Sequence, residues 1–342
     1  MTERKQPRLG VHWTLVAVCL AAVAYAAYMS AFSIVRHDAF LTNRADLGHF
    51  DQTLWNTLHG QFLIRTDGGQ QMISLTDHVE PILVPLSLIY LVWENVRALL
   101  IFQTAAIALG ALPVYWLARD ELLGARCSAS VARLAGLVLA LVYLLFPGLQ
   151  AANLTEFHAT TLVVTPMLLA LYHARRGRYG PMWLWAVVVM MVKEEMPLLT
   201  LMLGLWLLFI GKARRQGLAL AAVSLAWCAV AVFVITPQYA HIEYGTDQSV
   251  HFERYAAFGD SPGAIIRTVL TDPGLVWRTV SQPDRVSYLL GLLASGGLFI
   301  SLLAPEVLLL GLPIMAANLR SSYDAMISDA YHYTAPVVPF FM

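Results

Sequence analysis

Titratable side chains are concentrated in one stretch near the start of the chain, from Arg36 to Pro81. This stretch holds six of the 22 acidic residues and four of the 10 histidines, in a chain that is 58% hydrophobic. These residues are Asp38, Asp46, Asp51, Asp67, Asp77, Glu80, His37, His49, His59 and His78. Because carboxylates and imidazoles are the groups that most often move protons in catalysis, we interpret the stretch as a folded loop that carries a carboxylate-centred site.

The segment Asp46–Trp55 has the spacing of a helix. We predict that Asp46 is the catalytic carboxylate and that Asp51 and Gln52 contact the substrate. Two plainer interpretations stay open at this point. Asp46 can cap the helix by accepting hydrogen bonds from its first free amides, and Asp51 and Gln52 can lie on a solvated face.

Three other polar segments interrupt the apolar sequence further along the chain, around Glu156, Lys193 and His332. Lys193 follows an apolar stretch of 12 residues and precedes one of 14, whereas a span needs at least about 17 residues. Lys193 is therefore predicted to lie in a recess below the membrane surface, unless it belongs to a plain turn with snorkelling side chains. The predicted substrate-binding residues are Arg36, Asp51, Gln52, His78, Glu80, Glu156, His158, Lys193, Glu194 and His332.

The sequence contains none of the common glycine-rich phosphate loops, dinucleotide fingerprints or zinc-protease motifs. Its three cysteines are far apart and lie in or beside apolar runs, so they are predicted to be buried hydrophobic residues. We therefore predict no cofactor and no metal ligand. A divalent metal stays open as an alternative, with His78, Glu80, Glu156, His158 and His332 as its possible ligands.

The composition excludes an ordinary soluble protein. Only 13% of the residues are charged, and the mean hydropathy is +0.63, whereas soluble domains are about a quarter charged. The predicted partner is therefore the lipid bilayer. The formal net charge of zero gives no attraction to nucleic acid, and the sequence leaves the oligomeric state open.

The basic residues predict how the chain crosses the membrane. Arg4, Lys5 and Arg8 precede the first apolar run, Val11–Val35, so the N-terminus is predicted to be cytoplasmic. The later runs then give eight α-helical spans and a short juxtamembrane helix at Pro81–Trp93. We predict one domain over residues 1–342, with extracytoplasmic loops at 36–80 and 236–285. Its last residues, from His332, resemble the opening of another span, as in a truncated product.

Several motifs resemble an uncharacterised family of bacterial polytopic membrane proteins: DLGHFDQTLWN, DHVEPIL, ANLTEFH, VKEE and YHYTAPVVPF. The order of spans and acidic loops is more loosely similar to the C-type glycosyltransferases (GT-C), which use polyprenyl-phosphate sugars. The resemblance implies an all-α transmembrane bundle in the bacterial inner (plasma) membrane with an extracytoplasmic site. Its implied reaction is the transfer of a sugar from a polyprenyl-phosphate donor to an extracytoplasmic acceptor.

The same resemblance implies roles for single residues. Asp46 matches the carboxylate that acts as general base, and Lys193 matches a basic residue that contacts the donor phosphate. Two features depart from the pattern of the characterised transferases. The turn before Pro81 lacks their lysine, which only a protonated His78 could replace, and Leu47 follows Asp46 where those enzymes have a second acid.

Two other classes of membrane protein are alternatives. A transporter or flippase of lipid-linked substrates would place paired charges in the middle of its spans and show an inverted repeat; the sequence shows neither. A non-catalytic scaffold would not need acids and a lysine on one face. A deep outer cavity joining Asp46 to Lys193 favours the enzyme, whereas a path open toward the cytoplasm favours transport.

Overall fold

The computed structural model describes residues 12–245 and 250–342. Over these residues the chain is mainly helical, and three helices are long and apolar enough to cross a membrane: Trp13–Asp38, Arg97–Gly124 and Arg214–His241. A fourth crossing results if Ala129–Leu144 and Pro147–Leu154, which meet at an angle of 43°, form one bent span. The arrangement supports a multi-pass membrane protein.

The structure has fewer helices of spanning length than the eight predicted. The two helices that flank Lys193 are Tyr179–Met190, with 12 residues, and Pro197–Phe209, with 13. Each is roughly 20 Å long, and the apolar core of a bilayer is about 30 Å thick. The polar turn at Lys193 and the following Pro197 divide this segment into two short helices, so the number of crossings stays a prediction.

The first half of the described chain has seven α-helices, which begin with a long helix and end with the bent pair. The predicted juxtamembrane helix at Pro81–Trp93 is a single α-turn followed by a 3₁₀ helix, Ser87–Leu91, because Pro85 interrupts it. The α-helices are α1 (Trp13–Asp38), α2 (His49–Leu58), α3 (Leu83–Leu86), α4 (Arg97–Leu109), α5 (Ala111–Gly124), α6 (Ala129–Leu144) and α7 (Pro147–Leu154).

The second half has shorter helices. The apolar hairpin predicted at residues 286–317 consists of short α and 3₁₀ segments, and His332–Phe340 is a buried 3₁₀ helix instead of the start of a span. The α-helices are α8 (Val164–Arg175), α9 (Tyr179–Met190), α10 (Pro197–Phe209), α11 (Arg214–Val230), α12 (Thr236–Tyr244), α13 (Pro262–Thr271), α14 (Pro273–Val280), α15 (Pro283–Ser295), α16 (Pro305–Leu308) and α17 (Leu312–Arg320).

The predicted all-α class is confirmed, and one short β-hairpin interrupts the helices. Strands β1 (Ile64–Asp67) and β2 (Gln70–Ile73) form an antiparallel hairpin inside the first polar loop. Its turn is Gly68–Gly69, and both glycines have positive φ angles, as tight hairpin turns require. The hairpin packs on α2, so this loop is a folded unit.

Helices α10 and α11 pack against each other at the distance of touching backbones. A Cβ added to Gly204 would lie 2.7 Å from the backbone nitrogen of Ala221, and one added to Gly217 would lie 2.6 Å from the carbonyl oxygen of Gly204. Small residues allow this approach between helices in a membrane. The outer face of α11 stays exposed, including Leu225 at 57%, as expected of a surface in contact with lipid.

The predicted orientation of the N-terminus rests on Arg4, Lys5 and Arg8, which lie outside the described residues.

Candidate functional site

Asp46 lies in a single π-helical turn, Arg44–Gly48, directly before α2. It does not cap this helix, because the N-cap position of α2 is Gly48, without a side-chain hydrogen bond. The turn is held by Glu156 instead. The Oε1 atom of Glu156 accepts a hydrogen bond of 2.6 Å from the amide of Asn43, and Oε2 accepts one of 3.3 Å from the amide of Leu47. Glu156, predicted to bind substrate, therefore positions the turn that carries Asp46.

The backbone at Glu156 is in an unusual conformation, with φ at +104°. For a residue with a side chain this costs of order 1–3 kcal/mol and persists only when the surroundings enforce it. Gln103, fully buried in α4, supplies that constraint. Its Nε2 donates to the carbonyl of Glu156 at 2.7 Å, and its Oε1 accepts from the amide of His158 at 2.8 Å. The side-chain amide of Gln103 thus holds the backbone of Glu156 and of His158, the two residues that flank Phe157.

Asp46, His158 and His332 form a continuous group. The Oδ1 atom of Asp46 lies 3.6 Å from Nε2 of His158, and the ring of His158 stacks on that of His332 with 3.7 Å between centroids. The side chain of Asp46 is 48% exposed, whereas His158 and His332 are more deeply buried. The imidazole of His158 is the main cause that lowers the pKa of Asp46. Asp46 is therefore an ionised, accessible carboxylate at neutral pH.

The two stacked histidines have free nitrogen atoms. Nδ1 of His158 and Nδ1 of His332 are both buried and have no hydrogen-bond partner among the described residues. Burial, His158 and the charge of Lys193 lower the pKa of His332 well below its ordinary value, so its ring is neutral. Because a buried polar atom without a partner is unfavourable, these nitrogens are candidates for contact with a bound molecule.

A second group surrounds Lys193, which is only 9% exposed. Its Nζ lies 3.3 Å from Oε1 of Glu195. Burial opposes the charge of Lys193, but Glu195, Glu194 and Glu80 outweigh burial and raise its pKa. The lysine is therefore positively charged although it is buried.

His78 joins the same group through Glu194. Its Nδ1 lies 2.9 Å from Oε1 of Glu194, and Oε2 of Glu194 accepts a hydrogen bond of 2.9 Å from the amide of Val79. Burial and Lys193 oppose proton binding by His78, but Glu194 and Asp77 outweigh them and raise its pKa to about 9. His78 is therefore protonated at neutral pH, the state in which it can replace the lysine that the turn before Pro81 lacks.

The acids of this group have pKa values shifted in opposite directions. Burial raises the pKa of Glu80 to about 7 and also raises that of Glu195. At Glu194 burial is outweighed, and His78 lowers the pKa to about 2. Such a separation is typical of acid–base sites, although ion-pair networks that only stabilise a fold also produce it.

The Lys193 group opens into a cavity of about 430 Å³. One end of the cavity is polar and includes Lys193, Arg254 and Arg320 together with the carboxylates of Glu194 and Glu195. Its other walls are apolar and come from α10, α11, the π-helical segment Ala231–Ile235, α13 and α17. The cavity therefore joins a charged end, in which cations outnumber carboxylates, to apolar walls.

Arg254 and Arg320 were not singled out by the sequence patterns. The guanidinium of Arg254 lies over the rings of Tyr323 and Tyr333, at 4.8 and 5.9 Å from their centroids. Arg320 lies over Phe258 at 5.8 Å. In the described part of the chain neither arginine forms an ion pair with a carboxylate, although both are half-buried. Two unneutralised cations at one end of a cavity favour an anionic ligand.

Three of the predicted binding residues do not belong to either group. Asp51 accepts a hydrogen bond from the hydroxyl of Tyr90. Gln52 ties α2 to the hairpin: its Oε1 accepts from the amide of Thr66 at 2.8 Å, and its Nε2 donates to the Thr66 hydroxyl at 3.0 Å. Arg36 lies in the last turn of α1, with a buried Nε that has no hydrogen-bond partner. Asp51 and Gln52 therefore hold the loop together.

The residues proposed as alternative metal ligands do not form one cluster. His158 and His332 stack with each other, whereas Glu156 accepts backbone hydrogen bonds. Within residues 12–245 and 250–342, a group of three side chains with suitable ligand atoms is Asp77, His78 and His251, whose ligand atoms all lie within 4.8 Å of one another. Two of these three residues were not predicted.

The comparisons with known proteins identify a family but no relative of known function. No curated protein matches the chain, and no solved structure matches it. One family, described as "Predicted membrane protein (DUF2079)", matches residues 36–342, which include every predicted site residue. The chain therefore belongs to this family of membrane proteins.

Proposed function

We propose that the protein transfers a sugar from a polyprenyl-phosphate donor to an acceptor on the extracytoplasmic side of the bacterial inner membrane. The observation that carries the proposal is the cavity with cations at one end and apolar walls along the rest. A lipid-linked sugar phosphate has the same division, because its phosphate is anionic and its polyprenyl chain is apolar. A soluble sugar would not need the apolar walls, and a lipid without a phosphate would not need the cations.

Lys193, Arg254 and Arg320 are the proposed phosphate ligands. Arginine suits this role because its planar guanidinium gives two parallel hydrogen bonds to phosphate oxygens. Negative charge grows on the phosphate as its bond to the sugar breaks. Fixed cations stabilise that charge most where water is excluded, and Lys193 is buried. The apolar wall near Leu225 and Phe233, both exposed on the outer side of the α11 region, gives the polyprenyl chain access from the bilayer.

Asp46 is the proposed general base. The acceptor hydroxyl or amine attacks the anomeric carbon of the sugar, and its proton passes to Asp46. The bond from the anomeric carbon to the phosphate oxygen breaks, and its electron pair stays on the phosphate. Asp46 suits this step because it is ionised and accessible, and His158 lies beside it. Asp46, His158 and His332 do not line the cavity themselves, but Thr160, two residues after His158, and Tyr333, next to His332, do.

The arginine pairs at the far end of the bundle support the proposed orientation. Gln103, which holds the site, lies near the start of the α4–α5 helix Arg97–Gly124. Near its other end, Asp120 pairs with Arg176, and Glu121 with Arg175. Basic residues are enriched on the cytoplasmic side of membrane proteins. The end that carries the site would then face away from the cytoplasm.

The test is sugar transfer in membranes that contain the protein and a labelled polyprenyl-phosphate sugar. Asp46→Asn is expected to lower the transfer rate by about 10²–10⁴-fold, the usual contribution of a general base. Asp260→Asn, at an exposed position, is the matched control and should keep the wild-type rate. Full transfer by correctly folded Asp46→Asn protein would remove this carboxylate from the chemistry.

A flippase for lipid-linked substrates is the second candidate, because a cavity with an apolar wall beside α11 would also suit a lipid in transit. The two functions separate in proteoliposomes. A transferase releases the sugar from its lipid and leaves the lipid on its original side. A flippase moves the intact lipid-linked sugar across the bilayer, at a rate that Asp46→Asn would leave unchanged.

A further inference from the structure

We propose that Asp77, His78 and His251 bind a divalent transition-metal ion of the Zn²⁺ type. These residues come from distant parts of the chain, the turn before Pro81 and the segment after α12. Their ligand atoms lie within 4.8 Å of one another, and all three side chains are half-buried. The site itself does not depend on the proposed transferase activity.

The ligand atoms lie near one another, and a turn of one ring would bring them around one ion. Nε2 of His251 lies 3.0 Å from Oδ1 of Asp77. The rings of His78 and His251 are stacked, 4.6 Å apart with 16° between their planes, so one ring must turn before both can direct a nitrogen at the same ion. A bound cation would replace the proton between His251 and Asp77 and take a nitrogen of His78 as its third ligand. Metal binding would thus release protons, as it generally does at imidazole ligands.

The neighbouring side chains orient the ligands. Glu194 accepts from Nδ1 of His78 at 2.9 Å, so Nε2 of the same ring is the nitrogen that would release its proton and bind the metal. Its other oxygen accepts from the amide of Val79, so Glu194 is itself fixed. Arg65 lies 3.6 Å from the second oxygen of Asp77. A carboxylate that orients a ligating histidine through its other nitrogen is a general feature of metal sites.

The donor set decides the class of metal. Two imidazoles and one carboxylate suit Zn²⁺ and similar transition metals, whereas Mg²⁺ and Ca²⁺ prefer oxygen ligands alone. Three protein ligands leave a coordination position open, as in catalytic zinc sites. Because His78 and His251 both line the cavity, a ligand in the cavity would lie next to the metal. A role for the metal beside the donor phosphate, and only that role, rests on the proposed function.

The experiment measures binding of Zn²⁺ alone to purified full-length protein that has been stripped with a chelator. We expect one equivalent of Zn²⁺ to bind in competition with a chromophoric chelator. Loss of a supporting residue typically weakens metal affinity by about 10–100-fold, the effect expected of Glu194→Gln. Asp77→Asn and His251→Asn, which remove ligands, should weaken binding by more than that. His59→Asn removes an exposed imidazole outside the group and should bind Zn²⁺ as the wild type does.

Equal Zn²⁺ binding by the wild type, Asp77→Asn and His251→Asn would overturn the proposal, and so would the absence of one-to-one binding by the wild type. If the variants fail to fold, Co²⁺ added to the wild type gives an independent answer. Visible absorption bands of Co²⁺ with nitrogen and oxygen ligands are expected, and a spectrum identical to that of Co²⁺ in buffer would refute the site. Sugar transfer that survives metal removal would exclude the metal from the reaction without affecting these binding results.

Discussion

Gln103→Leu is the substitution that most directly tests how the Asp46 region is held. Gln103 is fully buried and forms five hydrogen bonds across three segments, one of them a long contact of 3.5 Å from Nε2 to Oδ1 of Asn153. Its Nε2 donates to the carbonyls of Glu156 at 2.7 Å and Asn153 at 3.2 Å. Its Oε1 accepts from the amide of His158 at 2.8 Å and from the hydroxyl of Thr161 at 2.9 Å. Leucine fills a similar volume but removes all five bonds.

The expected magnitude follows from the groups that lose their partner. The Thr161 hydroxyl keeps a second bond to the carbonyl of His158 at 2.8 Å. The amide of His158 and the carbonyls of Glu156 and Asn153 are left without this partner in a buried place. Each such group costs about 1–3 kcal/mol, which gives roughly 3–9 kcal/mol. We expect the lower end, about 3–5 kcal/mol, because small backbone shifts can restore some contacts.

The assay is reversible unfolding of the purified protein in mixed detergent micelles, followed by a spectroscopic signal. Gln150→Leu is the matched control, since Gln150 lies in the neighbouring helix α7 and donates one hydrogen bond, of 3.0 Å, to the carbonyl of Leu144. The control should lose about 1 kcal/mol. If Gln103→Leu lowers the free energy of unfolding by no more than Gln150→Leu does, the reasoning about this hydrogen-bond hub is wrong.

Two further predictions concern the acids of the site. Glu156→Gln should destabilise the protein by about 1–3 kcal/mol and speed amide hydrogen exchange in the Asp46 turn. Glu94→Gln, at an exposed position, should do neither. Unchanged exchange in Glu156→Gln would contradict the role of Glu156. Burial raises the pKa of Glu80 to about 7, so its contribution to stability is present below its ordinary pKa of 4.5 and lost as the pH rises through 7. In metal-free buffer, Glu80→Gln should therefore flatten the fall in melting temperature between pH 4.5 and about 8, and an identical pH profile would refute this assignment.

The apolar runs were sufficient to predict that the chain lies in a membrane and where its longest helices are. Val11–Val35 corresponds to α1 and Val96–Ala118 to the helix Arg97–Gly124, because each run is long and has no internal break. The short apolar runs beside Lys193, of 12 and 14 residues, correspond to the short helices α9 and α10. A window average records how apolar a segment is, whereas the length of a helix depends on where its backbone turns.

Some polar residues of the site were predicted from the sequence and others were not, and the difference has a physical cause. Asp46, His158 and His332 were noticed because acids and imidazoles are rare in this chain, and the structure brings these three together. Arg254 and Arg320 carry no local pattern. Their role depends on α17 and the segment before α13 meeting at one cavity, which is a long-range packing property. Gln103 had a signal that was available, a single amide within an apolar run that needs hydrogen-bond partners.

The central claim is that the cavity holds a lipid-linked phosphate by its cationic end. The most direct measurement is the affinity of the purified protein for a polyprenyl phosphate in detergent. The double variant with Arg254→Gln and Arg320→Gln should bind polyprenyl phosphate at least about tenfold more weakly for each arginine, since a hydrogen bond to a charged group contributes about 1.5–3 kcal/mol. The control variant Arg278→Gln, at an exposed position on α14, should bind it as the wild type does. Equal affinity of the double variant and the wild type would contradict the account.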